Sequence, residues 1–321
     1  MWLGRGLHKR PTRKPIFFIL GAPKCGTTSL AAWLSEHPNV FMSNPKELDY
    51  FDKDRTKGYS DDLERYEHFF SNVRPEHIAI GEASTGYLRS RVAADEILKY
   101  APAARFIIGL RNPVEMAISW HGQVLFEAWE DVPNFETAWS LQDSRRVGRN
   151  IPRLCPDVSN LMYADVCALG SQLARWLEKV PRERVFIYTL DEMKDTPQLL
   201  WSRILSFLGV LEDGRRDFPA YNEGKRIPRV LSIATRLVAD TKRNLGLNVG
   251  FGILKWLNRK LSKKPAHKPS DAFVAELYAY FRPEVELLQT LTGRDLSVWV
   301  APPNCGDTSS VGHGEKIEVM R

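Results

Sequence analysis

The chain has 321 residues, 43% of them hydrophobic and 26% charged, with a formal net charge of +6. These proportions are typical of a globular protein and exclude a largely disordered chain, a collagen-like repeat and a coiled coil. No apolar run reaches the ~18 residues that a membrane-spanning helix needs. The four scattered cysteines form no C-x-x-C pair, so we expect a cytoplasmic protein with neither a disulfide framework nor a metal site.

Strand-like and helix-like segments alternate along the chain. Apolar segments of strand length lie at 16–20, 40–43, 78–84, 105–111 and 185–190. Helical patterns include 28–36 and 197–208. Apolar strands separated by helices are typical of a parallel sheet covered on both faces. We therefore predict a single α/β domain over 15–300, a P-loop-type parallel sheet flanked by helices on both faces, between a basic flexible arm (1–14) and a flexible tail (301–321).

Residues 21–28 (GAPKCGTT) join the first predicted strand to the first predicted helix. Backbone N–H groups in such a turn, together with the positive end of the helix dipole, attract an anion, and Lys24 adds a mobile cation. In the loop of nucleoside triphosphatases, G-x-x-x-x-G-K-[ST], a lysine follows the second glycine. Here Thr27 follows Gly26. The turn thus predicts a nucleotide-phosphate site and disfavours ATP hydrolysis.

A second motif lies where the strand predicted at 105–111 ends. Arg111 closes the strand, and Ser119 follows eight residues later. A guanidinium group can donate two parallel hydrogen bonds to a phosphate, and a serine hydroxyl can add a third. An arginine in this position taken alone more often pairs with a carboxylate. Its position after the glycine-rich turn is what favours a phosphate contact.

Together the two motifs resemble those of sulfotransferases that use 3′-phosphoadenosine 5′-phosphosulfate (PAPS). Residues 23–29 (PKCGTTS) are similar to the 5′-phosphosulfate loop of that family, and the arginine–serine pair to its 3′-phosphate motif. Residues 44–51 (NPKELDYF) and 81–88 (GEASTGYL) resemble segments of its bacterial and heparan-sulfate sulfotransferase branch. Ala83 and Gly86 depart from that branch, which often has lysine and serine there.

The resemblance implies transfer of the sulfuryl group of PAPS to a hydroxyl or amine of an acceptor. We expect this acceptor to be a carbohydrate or glycolipid, and we expect the protein to bind neither a metal ion nor a nucleic acid. It implies that the residues contacting the cofactor are Lys24, Cys25, Gly26, Thr27, Thr28, Ser29, Arg111, Ser119 and, in a late loop, Lys225, Arg226 and Arg229. An ammonium beside the bridging oxygen would stabilise the transition state.

For the catalytic groups, Lys24 is the first candidate for that ammonium and Lys46 the second. The resemblance implies Glu82 as the base that takes the acceptor proton. His121 is the alternative base, because other sulfotransferase branches use histidine.

Twelve basic side chains and one acidic side chain lie between Lys225 and Lys268. Within this block, residues 249–264 place leucines on one helical face and basic residues on another, which predicts either contact with an anionic membrane or a helix packed on the core. Two other function classes stay open. A P-loop kinase or nucleotide hydrolase would prefer ATP with Mg²⁺, and a nucleic-acid-binding protein would show steeply salt-dependent affinity.

Overall fold

The computed structural model describes residues 13–55, 62–221 and 268–302. Its centre is a parallel five-stranded sheet in the order β2-β3-β1-β4-β5. The strands are β1 (Phe17–Gly21), β2 (Val40–Met42), β3 (Ala79–Ala83), β4 (Arg105–Leu110) and β5 (Val185–Thr189). All five predicted strands are confirmed, because each observed end lies within one residue of the predicted one.

Helices connect successive strands and cover the sheet. They are α1 (Thr27–Ser35), α2 (Leu63–His68), α3 (Ala93–Tyr100), α4 (Pro113–Phe126), α5 (Phe135–Ser140), α6 (Gln142–Arg146), α7 (Tyr163–Cys167), α8 (Leu169–Leu177), α9 (Leu190–Asp195), α10 (Pro197–Leu208) and α11 (Asp271–Thr292). The helix predicted at 197–208 is confirmed, and the one predicted at 28–36 begins and ends one residue earlier. None of the helices in the described ranges is both long and apolar enough to cross a bilayer.

Both faces of the sheet are buried, as the apolar strands predict. Phe17 and Ile19 of β1 belong to a core cluster that contains side chains of α1 and α10. Phe18 and Leu20 point the other way, into a larger cluster with side chains of α3, α4, α8 and α11. Because alternate residues of a strand face opposite sides of the sheet, a strand buried on both sides has no polar positions.

Backbone hydrogen bonds link the carboxyl ends of the three central strands to one another. After β1, the backbone N–H of Ala22 donates to the carbonyl of Gly109 in β4 at 2.9 Å. After β3, the N–H groups of Ser84 and Leu88 donate to carbonyls of β1 at 3.2 and 3.0 Å. In the β4–α4 turn, Asn112 caps α4 with its side-chain oxygen, and Pro113 occupies the first helical turn. The turns singled out in the sequence therefore lie at one edge of the sheet.

A buried ion pair fastens the segment that follows α4. The guanidinium group of Arg145 donates to both carboxylate oxygens of Glu130, at 2.7 and 2.8 Å, and both side chains are fully buried. The hydroxyl of Tyr163 donates to the same carboxylate at 2.6 Å. Two opposite charges that are buried together hold each other in place, since either one left alone would be costly.

The basic arm up to residue 12, the tail from residue 303, the late-loop candidates Lys225, Arg226 and Arg229, and the amphipathic segment 249–264 lie outside the described residues.

Replacing Arg145 by alanine should lower the free energy of unfolding by about 3–5 kcal/mol, because Glu130 would keep a buried charge without its partner. Urea unfolding followed by circular dichroism measures this loss. The neighbouring Arg146→Ala is the control: its side chain is 48% exposed and pairs with exposed Asp143 and Asp165, so it should cost less than about 1 kcal/mol. Equal losses in the two variants would contradict the assignment.

Candidate active site at the carboxyl edge of the sheet

The turn between β1 and α1 is shaped to receive an anion. Gly26 precedes α1 with a φ of 79°, and a Cβ in its place would collide with the sulfur of Met193 in α9. Since no side chain caps this end of α1, its first N–H groups are available to a ligand, and the helix dipole adds positive potential. The hydroxyl of Tyr188 in β5 donates to the carbonyl of Cys25 at 2.9 Å, which fixes the turn to the sheet.

The structure brings Lys24 and Arg111 together, as the two motifs predict. A guanidinium nitrogen of Arg111 donates to the backbone carbonyl of Lys24 at 3.3 Å, while the same group pairs with Glu115 at 3.0 Å. The ammonium of Lys24 donates to Oε1 of Gln123 at 3.1 Å. Burial, and then the charge of Arg111, lower the pKa of Lys24. Two cations thus meet beside an uncapped helix end, which favours a ligand with several negative charges.

The other loop residues differ in what their side chains do. Ser119, the predicted second contact of the 3′-phosphate, lies in the middle of α4. Thr27 is buried, and Thr28 is half-buried. Ser29 is also buried, and its hydroxyl accepts a hydrogen bond from the N–H of Tyr221 at 2.9 Å. Burial raises the pKa of the Cys25 thiol to about 12, so this thiol fills space beneath the turn.

Glu82, the predicted base, is fully buried beneath this edge. Three hydroxyl groups donate to its carboxylate: Tyr66 to Oε2 at 2.7 Å, Ser84 to Oε1 at 2.6 Å and Tyr87 to Oε1 at 2.8 Å. Burial raises the pKa of Glu82 to about 7, and the charge of Asp52 acts in the same direction, while the hydroxyl hydrogen bonds oppose the shift. An acceptor could reach this carboxylate only by displacing the groups that surround it.

Lys46 and Glu47 lie closer to solvent, with side chains 21% and 37% exposed. The ammonium of Lys46 contacts Oε1 of Glu47. The other oxygen of Glu47 accepts hydrogen bonds from the backbone N–H and the hydroxyl of Thr85, at 2.7 and 3.1 Å. This places Glu47 beside the turn that follows β3. Sequence reasoning quoted Glu47 as part of a motif but assigned it no role, because exposure is not visible in a motif.

Gly86, where the related branch has serine, is explained by a carboxylate. A Cβ at this position would come 2.5 Å from Oδ2 of Asp52. Asp52 is itself buried, and burial raises its pKa to about 7. Ala83, where that branch has lysine, is buried at the end of β3. The lack of a side chain at position 86 therefore leaves room for the carboxylate of Asp52.

His121, the alternative base, is buried one turn before the end of α4. Its Nε2 lies 2.9 Å from the carbonyl oxygen of Val132, and its ring packs against Phe135 and Tyr163. These contacts are with the segment fastened by the buried ion pair. Within residues 13–55, 62–221 and 268–302, no group of three or more His, Cys, Asp or Glu side chains is arranged to hold a metal ion.

Gln123 was missed by the sequence analysis altogether. It lies four residues after Ser119 on α4, so the two side chains share a face of the helix. That spacing was a signal, but glutamine is common on helices, and only the contact with Lys24 distinguishes it.

The chain is similar in sequence to curated enzymes of heparan sulfate. "Bifunctional heparan sulfate N-deacetylase/N-sulfotransferase 1" of Caenorhabditis elegans is 27% identical over 238 residues, which are 71% of this chain and 26% of that protein. "Bifunctional heparan sulfate N-deacetylase/N-sulfotransferase 3" of Mus musculus is 24% identical over 304 residues, which are 91% of this chain and 32% of that protein. The chain therefore spans about a quarter to a third of these relatives.

Among solved structures, a sulfotransferase from Alicyclobacillus acidocaldarius is 26% identical, with a TM-score of 0.65. The alignment covers 89% of this chain and 99% of that one, so the predicted fold class is confirmed. The family model described as "Sulfotransferase domain" matches residues 14–217, which hold the glycine-rich turn and the arginine motif. The chain thus belongs to the sulfotransferase domain family.

Proposed function

We propose that this protein transfers the sulfuryl group of PAPS to an amine or hydroxyl group of a carbohydrate acceptor. The observation that carries the proposal is the contact of Arg111 with Lys24 beside the uncapped end of α1. PAPS carries negative charge at both its phosphosulfate and its 3′-phosphate, so it matches two cations and a helix N-terminus. Membership of the sulfotransferase domain family also favours sulfuryl transfer over the kinase and nucleic-acid-binding alternatives.

Each cation has a separate task in this proposal. As the bond between sulfur and the bridging oxygen breaks, negative charge grows on that oxygen, and the Lys24 ammonium stabilises it more in the transition state than in the ground state. The Arg111 guanidinium binds a phosphate group through parallel hydrogen bonds. Lys46 is the second cation near the acceptor, next to Glu47.

We further propose that Glu47, rather than Glu82, takes the acceptor proton. A general base must come within hydrogen-bonding distance of the proton that it removes. Glu47 is partly exposed beside the turn after β3, whereas Glu82 is fully buried and accepts three hydroxyl hydrogen bonds. In this scheme Glu82 supports the turn from below through Ser84 and Tyr87, and His121 holds the segment after α4.

The names of the relatives support the choice of acceptor class. Those named above are called bifunctional heparan sulfate N-deacetylase/N-sulfotransferases, so an amine on a polysaccharide is our first candidate acceptor. The cytoplasmic location, the domain limits at 15–300 and a peripheral membrane contact through 249–264 stay predictions.

The donor half of the proposal is tested by calorimetry with adenosine 3′,5′-bisphosphate, the product nucleotide. Arg111→Met should weaken its binding about 10- to 100-fold, because one or two charge-assisted hydrogen bonds contribute about 1.5–3 kcal/mol. Arg105→Met is the matched control, since Arg105 lies at the other end of β4 from Arg111 and contacts the carbonyl of Phe207. Absence of binding by the wild-type protein would refute the donor assignment.

Transfer of ³⁵S from labelled PAPS to de-N-sulfated heparin tests the roles of the two carboxylates. Glu47→Gln should lower kcat about 10²- to 10⁴-fold, because the acceptor proton would have no base. Glu82→Gln should keep most of the transfer rate, since the amide oxygen can still accept the hydrogen bonds of Ser84 and Tyr87 while the NH₂ group donates to the Tyr66 hydroxyl. The reverse order would return the role of base to Glu82, and His121→Ala checks the remaining alternative.

Stability should depend on pH through Glu82. Its pKa is about 7 in the folded protein against an ordinary value of 4.5, so the folded state keeps a proton that the unfolded chain releases between these values. The free energy of unfolding contributed by this group is therefore highest below about pH 4.5 and falls as the pH rises to about 7. Urea unfolding at pH 5, 6, 7 and 8 should show a shallower decline for Glu82→Gln. Identical slopes would contradict this protonation.

A further inference from the structure

We propose that Gln123, in α4, and Glu127, the C-terminal cap of α4, are positioning residues. They hold the ammonium group of Lys24 in place for sulfuryl transfer. This inference rests on the proposed function and adds a role for two side chains that no motif singled out. The two side chains would orient the ammonium group of Lys24, the cation already assigned to catalysis.

The three side chains form a continuous chain of hydrogen bonds. The ammonium of Lys24 donates to Oε1 of Gln123 at 3.1 Å, and Nε2 of Gln123 donates to Oε1 of Glu127 at 2.9 Å. Gln123 and Glu127 lie four residues apart, on the same face of α4 as Ser119. That face therefore carries both the predicted phosphate contact and the groups that hold the lysine.

Only one orientation of the Gln123 amide satisfies both neighbours. An ammonium group can only donate hydrogen bonds, and an ionised carboxylate can only accept them. Glu127 therefore turns the NH₂ end of the amide toward itself, which leaves the carbonyl end for Lys24. In this way Glu127 acts on Lys24 through the amide.

A neutral acceptor suits a catalytic cation better than a carboxylate does. A charge-assisted hydrogen bond is roughly twice as strong as a neutral one, so a carboxylate in contact with Lys24 would compete with the donor for the ammonium. The amide oxygen restrains the side chain but leaves its positive charge available. The restraint matters because Lys24 lies in a turn, with a φ of 65°, and is only half-buried.

Burial and three charged or titratable groups influence the charge on Lys24 besides Gln123. Burial and the guanidinium of Arg111 lower the pKa of Lys24, while Cys25 and Glu127 raise it. Loss of the amide oxygen removes a hydrogen bond that favours the charged form, so Gln123→Ala should lower the pKa further. Gln123→Glu has nearly the same shape and adds a negative charge, so it should raise the pKa.

The titration of Lys24 can be measured without any acceptor. Competitive acetylation with acetic anhydride at several pH values, with Lys24 quantified by mass spectrometry, gives the midpoint directly. We expect a lower midpoint in Gln123→Ala and Glu127→Gln, and a higher one in Gln123→Glu. Gln289→Ala is the matched control. Gln289 is also half-buried on a helix, α11, and its side chain accepts one hydrogen bond, from the N–H of Leu296. Its midpoint should equal that of the wild type.

Kinetics provide the second measurement. In the ³⁵S transfer to de-N-sulfated heparin, Gln123→Ala should lower kcat about 10- to 100-fold, by analogy with the loss of groups that orient metal ligands, which has effects of about this size. The Kd for adenosine 3′,5′-bisphosphate should stay within about threefold, since Gln123 makes no assigned contact with the nucleotide. A variant that only loosened the fold would weaken binding as well, and thermal unfolding checks this.

The failures of the two proposals can be told apart. Wild-type protein that binds no adenosine 3′,5′-bisphosphate would refute the proposed function, whatever the titration shows. Wild-type protein that binds the nucleotide, with Lys24 midpoints that stay the same in Gln123→Ala and Gln123→Glu, would overturn the inference alone. If Gln123→Ala does not fold, the nearly isosteric Gln123→Glu still decides the direction of the shift.

Discussion

The site depends on the meeting of two turns at one edge of a parallel sheet. The hydrogen bond from Arg111 to the carbonyl of Lys24 joins the β1–α1 turn to the β4–α4 turn. Since β1 and β4 are neighbouring parallel strands, their carboxyl ends lie side by side, and residues 87 positions apart in the chain come into contact. Ligand sites of open α/β sheets form at this edge for the same reason.

The carboxyl groups at this edge lie at two depths, and depth decides what each can do. Glu82 is enclosed by hydroxyl groups and holds the turn that follows β3, whereas Glu47 keeps part of its side chain in solvent. The bulky carboxylate of Asp52 fills the space that a side chain at position 86 would need. A buried carboxylate therefore shapes the site, and a more exposed one can meet an acceptor.

Sequence patterns predicted the five strands closely because strands buried on both faces have a nearly continuous apolar composition. They also predicted that Lys24 and Arg111 meet, because a parallel order brings successive strand ends to one edge. They could not show that Glu82 is enclosed while Glu47 is partly exposed. The reason is that a motif records which residue is present and not how deeply it is buried.

The amino-acid sequence alone determined the fold class, the glycine-rich turn and the cationic residues that define the family, because these depend on local composition and on spacing along the chain. Tertiary structure alone decided which carboxylate is accessible, why position 86 has no side chain, and that Gln123 contacts Lys24. These properties arise from groups far apart in the chain that exclude water from one another, and no local pattern records such burial.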